Sequence, residues 1–133
     1  MREIKFRGKT ESGIWKIGSL LIDETQKSYY IIDNEDGSGR VVLEETIGQY
    51  TGLHDKNEKE IYEGDIISDL DYGIMICKFI NGSFVWQSIK NELYIKFFTY
   101  IPIVEVIGNI YDNPDLLEKG AEEWARLMRC LKS

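Results

Sequence analysis

The chain reads as a mainly β fold, a small antiparallel β-barrel or sandwich, with one C-terminal α-helix. Three observations predict it. Short runs rich in β-branched and aromatic residues recur at near-regular spacing. Corners containing glycine or asparagine separate them, and Asn81-Gly82 is the strongest because both residues tolerate positive φ. Only beyond Tyr111 does the apolar period lengthen from two residues to the ~3.6 of a helix.

Arg2 to Lys9 alternates, Ile4 and Phe6 against Lys5 and Arg7, which predicts a half-buried strand showing a basic face to water. Ser12-Gly13 turns the chain into a second strand, Ile14 to Ile22, in which Gly18 marks a bulge or a close approach. Tyr29 to Ile32 and Arg40 to Leu43 flank a polar loop, Asp33 to Gly39. The densest turn and strand signals lie in Ile47 to Ile67. Its apolar arms enclose the polar loop His54 to Lys59, with Asn57 placed for left-handed backbone, and a second turn follows at Gly64. Ile66 to Leu70, Ile74 to Ile80 and Ser83 to Gln87 form further strands around Asp71-Tyr72-Gly73 and Asn81-Gly82. Leu93 to Tyr100 and Ile103 to Tyr111 complete the β region, with Gly108 as a bulge. Asn113 then supplies an N-cap, Pro114 the first helical position and Asp115 a charge that suits a helix start. Leu117, Ala121, Trp124, Met128 and Leu131 form one apolar stripe, and Gly120 weakens the helix by ~1 kcal/mol relative to alanine.

The chain of 133 residues predicts a single domain over 1–133, with a β-rich body at 1–111 and the helix at 113–131. Its hydrophobic content of 43% fits a globular protein, and its net charge of −7 disfavours nonspecific binding to phosphate backbones. Cys77 and Cys130, far apart and among apolar neighbours, read as reduced, buried thiols. MREIKFRGK has no apolar run resembling a signal peptide, and no stretch reaches the ~18 apolar residues of a membrane span. The expectation is a soluble protein without membrane association.

REIKFRGK with Gly13-Ile14-Trp15, then TIGQYTGLHDKNEKEIYEGDII, then VEVIGNIYDNPDLL, together resemble the YopX-like family of bacteriophage and prophage proteins. The three blocks stand in the family's order and cover most of residues 2–117. The resemblance implies a mainly β fold, a phage or prophage origin and a cytoplasmic location in the bacterial host. It implies no activity, because the family's function is unassigned. The family usually carries glycine after the Asp-Lys-Asn of the loop, where this chain has Glu58. If that position needs positive φ, either Glu58 is mildly strained or Asn57 takes the role. The residues after Leu117 lie beyond the shared pattern.

No catalytic set is recognisable. His54, the one histidine, would need Asp55 or Asp65 beside it to act as a base or metal ligand, and no nucleophile motif accompanies it. Glu60, Glu63 and Asp65 are as well explained by turn chemistry as by a cation site. Asp33, Glu35 and Glu44 match three positions of a calcium loop, but Gly37 and Ser38 break the pattern and strands flank it. Neither metal nor cofactor is expected. Tyr94, Lys96, Phe98 and Tyr100 would share one face of a strand and, with Trp124 and Met128 on the helix, suggest an interaction surface. Arg2, Lys5, Arg7 and Lys9 suggest a basic edge that guards a strand or meets phosphates. The expectation is a non-enzymatic accessory protein that binds a phage or host protein and forms homo-oligomers. The alternatives are a small barrel binding nucleic acid through Lys5, Arg7 and Lys96 and, behind it, a metal-dependent enzyme.

Overall fold

The computed structural model describes residues 3–70, 72–89, 94–96 and 104–132; for 94–96, 121, 123–125, 127–128 and 131–132 it describes the backbone alone. The chain divides into two compact units, Met1–Leu53 and His54–Ser133.

The first unit holds β1 (Phe6–Lys9), β2 (Trp15–Asp23), β3 (Ser28–Ile32), β4 (Gly39–Val42), a single 3-10 turn at Glu44–Thr46 and β5 (Gly48–His54). The strands pair antiparallel in the order β4-β3-β2-β1-β5. Gly8, Gly18, Ile31 and Val42 are buried on one face, and two of them set its curvature. A Cβ on Gly8 would lie 2.7 Å from Val42 Cγ2, and one on Gly18 would collide with the Ile32 carbonyl oxygen. Of the two roles open to Gly18, close approach is the one it plays. The curl is fastened where β4 ends. Leu43 N–H donates to the Lys9 carbonyl at 2.8 Å. Lys9 N–H donates to Thr46 Oγ1 at 2.9 Å, and that buried hydroxyl donates to the Leu43 carbonyl at 2.7 Å.

The second unit holds β6 (Glu60–Tyr62), β7 (Asp65–Asp69), β8 (Gly73–Ile80), β9 (Ser83–Ser88), β10 (Tyr94–Lys96), β11 (Glu105–Asn109) and α1 (Asp115–Lys132). Five of its strands pair antiparallel as β10-β9-β8-β7-β11. Ile66, Ile67, Met75, Cys77, Trp86 and Val104 are wholly buried. Asn81 and Gly82 both take positive φ, 52° and 81°, so a two-residue turn links β8 to β9. The bulge in β11 falls between Val106 and Gly108, which oppose the adjacent Ile67 and Ile66. Asn113 holds the start of the helix. Its Oδ1 accepts from Asn109 N–H at 3.2 Å and its carbonyl accepts from Leu116 N–H at 3.1 Å. Gly120 is a contact point, since a side chain there would press on Ile74 and Ile89.

The mainly β expectation with a C-terminal helix holds. The described strand pairings do not close into a barrel, so both sheets are open. Three local expectations change. Glu58, not Asn57, takes the left-handed backbone, with φ 64°. Cys77 is buried but Cys130 is exposed, one helical turn past the exposed Arg126. The alternation at the amino end is reversed at its first positions. Ile4 is 64% exposed, whereas the Lys5 side chain is only 14% exposed.

Candidate functional site

Directly opposed residues of an antiparallel pair share a face. Arg7 opposes Ile17, Lys9 opposes Trp15, and Leu21, Tyr30 and Val41 stand in register across three strands. These residues lie on the face opposite Gly8, Gly18 and Val42. Ile17, Leu21 and Val41 are exposed there (47%, 52% and 55%). The cations of β1 are stacked on rings rather than extended into water. Arg7 lies 4.9 Å and Lys9 5.8 Å from the Trp15 ring centre, and Lys5 lies 4.9 Å from that of the buried Tyr50. Lys5 also pairs with Glu3 at 3.2 Å. The same ammonium thus lies over the Tyr50 ring and meets a carboxylate, which is why lysine is better covered than Ile4. β1 is paired on both sides, so Lys5, Arg7 and Lys9 line a face and guard no edge. Arg2 lies outside the described residues.

Beside this face, a groove of about 450 Å³ runs between the β1–β2 turn and β4. Ile14 and Val41, both more than half exposed, form its apolar walls. Lys16 and Arg40 supply positive charge, and Glu11 is the one acid in the lining. Thr10 shapes the turn, accepting Ile14 N–H at 3.1 Å and sharing a 2.9 Å hydrogen bond with Ser12. Lys16 and Arg40 also line an adjoining cavity of about 160 Å³ with Asp36. Hydrogen bonds from Ser38, side chain first and then backbone, hold the Asp36 carboxyl below its ordinary range, and Lys16 and Arg40 add to the effect. Neither Lys16 nor Arg40 stands out in the sequence. The groove exists because the sheet curls, and the only sequence signal for that curl is a pair of glycines in strand interiors.

The carboxylates around the central loop are engaged with the backbone. Asp55 is 6% exposed. Its Oδ1 accepts N–H from Asn57 and Lys59, both at 2.8 Å, and its Oδ2 accepts Val106 N–H at 2.9 Å. Burial pushes this carboxyl up, but the amides of Val106, Lys59 and Asn57 and the Lys59 charge outweigh burial and hold it below its ordinary range. Lys56 N–H donates to the Val104 carbonyl at 3.0 Å, so the loop is stitched to the β11 segment. Asp65 is 1% exposed and accepts Tyr62 N–H at 2.8 Å, whereas Glu60 accepts the Tyr62 hydroxyl at 3.0 Å. These two carboxyls thus meet opposite ends of Tyr62. His54 is exposed at the end of β5. Asp33 Oδ1 accepts N–H from Glu35 and Asp36, and Glu44 belongs to the 3-10 turn. Among the described residues, no group of three or more His, Cys, Asp or Glu side chains is placed to hold a metal ion.

Tyr94 and Lys96 lie on β10, opposite Gln87 and Val85 of β9. Phe98 and Tyr100 lie outside the described residues. Trp124 and Met128 lie on α1, where only the backbone is described. No described helix is long and apolar enough to cross a membrane.

A family model described as YopX protein matches residues 5–118. The chain belongs to the YopX family. The crystal structure of protein EF1440 from Enterococcus faecalis is similar at 25% identity and a TM-score of 0.56, over 88% of this chain and 99% of that one. No curated protein matches the chain. Glu58, where the resemblance implies glycine, takes left-handed backbone.

Proposed function

We propose that this YopX-family chain is a phage or prophage accessory protein that acts in the host cytoplasm by binding, without catalysis, and assembles with copies of itself. One observation carries the reading. Leu21, Tyr30 and Val41 form an unbroken row across three strands, and its exposed members Leu21 and Val41 are about half accessible. Single exposed apolar residues are ordinary, whereas a contiguous patch marks a contact surface. The engagement of Asp55 and Asp65 with backbone amides supports a non-catalytic role. Light scattering tests self-assembly. The expected mass exceeds that of one chain and falls towards it in Leu21→Glu, while Trp124→Glu and Met128→Glu report whether α1 takes part. A monomer at all concentrations defeats the proposal.

The stacking of Arg7 and Lys9 on Trp15 favours a second reading, single-stranded nucleic-acid binding by ring and cation together. Salt-dependent retention on single-stranded DNA would support it, and no retention at low salt would end it.

A further inference from the structure

We infer that Asn81, in the turn between β8 and β9, is a modification site at which the chain deamidates without an enzyme, water being the co-reactant. The Gly82 nitrogen attacks Cγ of the Asn81 side chain. A C–N bond forms, and the carboxamide nitrogen leaves as ammonia, taking the Gly82 amide proton. The cyclic imide that results takes up water. Opening at one carbonyl gives aspartate, and opening at the other gives isoaspartate, in which the backbone runs through the former side chain. This chemistry is independent of the binding reading.

Asn81 is the one asparagine followed by glycine, whose lack of a side chain leaves the attacking nitrogen uncrowded. Both residues are exposed, and a Cβ on Gly82 would meet nothing within 4 Å. Among the described residues, no hydrogen bond engages the Asn81 carboxamide or the Gly82 N–H. Other asparagines are held. Asn34 Oδ1 accepts the Ser19 hydroxyl at 2.7 Å, Asn109 Oδ1 accepts Tyr111 and Asp112 N–H, and Asn113 Oδ1 accepts Asn109 N–H. Asp36-Gly37 has the spacing for the same ring, but Gly37 N–H donates to the Asp33 carbonyl at 2.9 Å and Asp36 Oδ1 accepts Ser38 N–H at 2.8 Å. Ring closure at Asn81 requires rotation about its Cα–C bond, hence a loosened turn. That turn lies beyond the last pair of the ladder, Ile80 opposite Ser83, where strands open most readily. Isoaspartate adds a methylene to the backbone, which a two-residue turn does not accommodate. The Phe79–Phe84 pair, with ring centres 4.9 Å apart next to that last pair, is the first ring contact it would strain.

The test holds the folded full chain in warm, mildly alkaline buffer and follows intact mass and peptide maps over time. The expected result is the mass gain of an NH-to-O exchange, located at Asn81 while the other asparagines are still intact. Isoaspartate is expected as the larger product, separated from aspartate by comparison with the Asn81→Asp chain. Asn81→Gln, which would have to close a larger ring, is expected to lose the early mass gain. In the isoaspartate fraction, hydrogen exchange is expected to quicken at β8 and β9 amides next to the turn. An unchanged mass in the folded chain overturns the inference, and the same chain in urea then shows whether the turn is what shields Asn81. Earlier deamidation at any other asparagine also overturns it, as does aspartate without isoaspartate, which marks direct hydrolysis. Unaltered hydrogen exchange in the isoaspartate fraction would overturn the structural consequence.

Discussion

In the first unit strands come together because glycines leave room, whereas in the second a wide apolar core and buried carboxylates hold them. The buried apolar residues of the first unit are Ile31, Val42 and Tyr50. The second buries Trp86, Met75, Ile61, Ile66, Ile67 and several more. Exposure runs the other way. Ile4, Ile14, Ile17, Leu21, Ile22 and Val41 are exposed in the first unit, against Leu70, Tyr72, Phe79 and Ile107 among the described residues of the second. Buried aspartates are also confined to the second, where Asp55, Asp65 and Asp69 each accept a backbone N–H. Apolar area left in water contributes nothing to folding and remains available to a partner. The contrast therefore assigns stability mainly to one unit and contact mainly to the other.

The sharpest way to break the first unit is Gly18→Ala. The added methyl meets the Ile32 carbonyl, a backbone atom that cannot rotate away, so β2 and β3 must separate. Overpacking against side chains costs ~1–3 kcal/mol, and backbone has less freedom to yield, so a loss of roughly 4 kcal/mol is expected. Urea unfolding measures it. A loss under about 1 kcal/mol would mean that glycine does not set the curl.

In the second unit Asp55→Ala is expected to cost about 3 kcal/mol. The amides of Asn57 and Lys59 can turn to water, but Val106 N–H is left buried without its acceptor. The same aspartate fixes a pH dependence. Its folded pKa lies below the unfolded value of ~3.9, so its contribution is fully present above that value and is lost as pH falls through the folded pKa. The stability gap between wild type and Asp55→Asn is therefore expected to shrink below about pH 4. A gap constant from pH 6 to pH 3 would show that the carboxylate's charge is not what the amides recognise.

Local signals made most of the fold legible, and long-range ones did not. Asn81-Gly82 announces its turn because the required backbone is available to those residues and few others. The bulge near Gly108 and the helix after Asn113 were likewise visible. Whether Asp55 matters was not, because its decisive bond spans 51 residues to Val106. Asp33 carries the same loop signal, accepts two neighbouring amides and stays exposed. The period of β1 misled for a similar reason. Alternation says which residues share a side but not which side is covered, and Tyr50, 45 positions along from Lys5, covers the lysine. Lys16 and Arg40 became neighbours only through the curl.

The smallest expected effect sharpens the comparison most finely, because each unit carries one strained, non-glycine loop residue held by an aspartate. Lys27 takes φ 55° in the turn where Asp23 Oδ1 accepts Thr25 N–H at 3.0 Å, and Glu58 takes φ 64° in the loop held by Asp55. Left-handed backbone costs an ordinary residue ~1–2 kcal/mol, of which glycine's greater unfolded-state freedom returns part. Lys27→Gly and Glu58→Gly are each expected to stabilise by about 0.5–1 kcal/mol in urea unfolding. Their dependence on the anchoring aspartate differs. Asp23 binds only its own turn, so the gain at Lys27 is the same with Asp23→Ala, within error. Asp55 ties its loop to β11 and also accepts the amides of Asn57 and Lys59 on either side of Glu58, so its carboxylate holds Glu58 in the strained region. In an Asp55→Ala background the loop relaxes, and the gain from Glu58→Gly is expected to vanish. Equal gains at Glu58 with and without Asp55 would show that the loop's own length, not the buried carboxylate, imposes the left-handed turn.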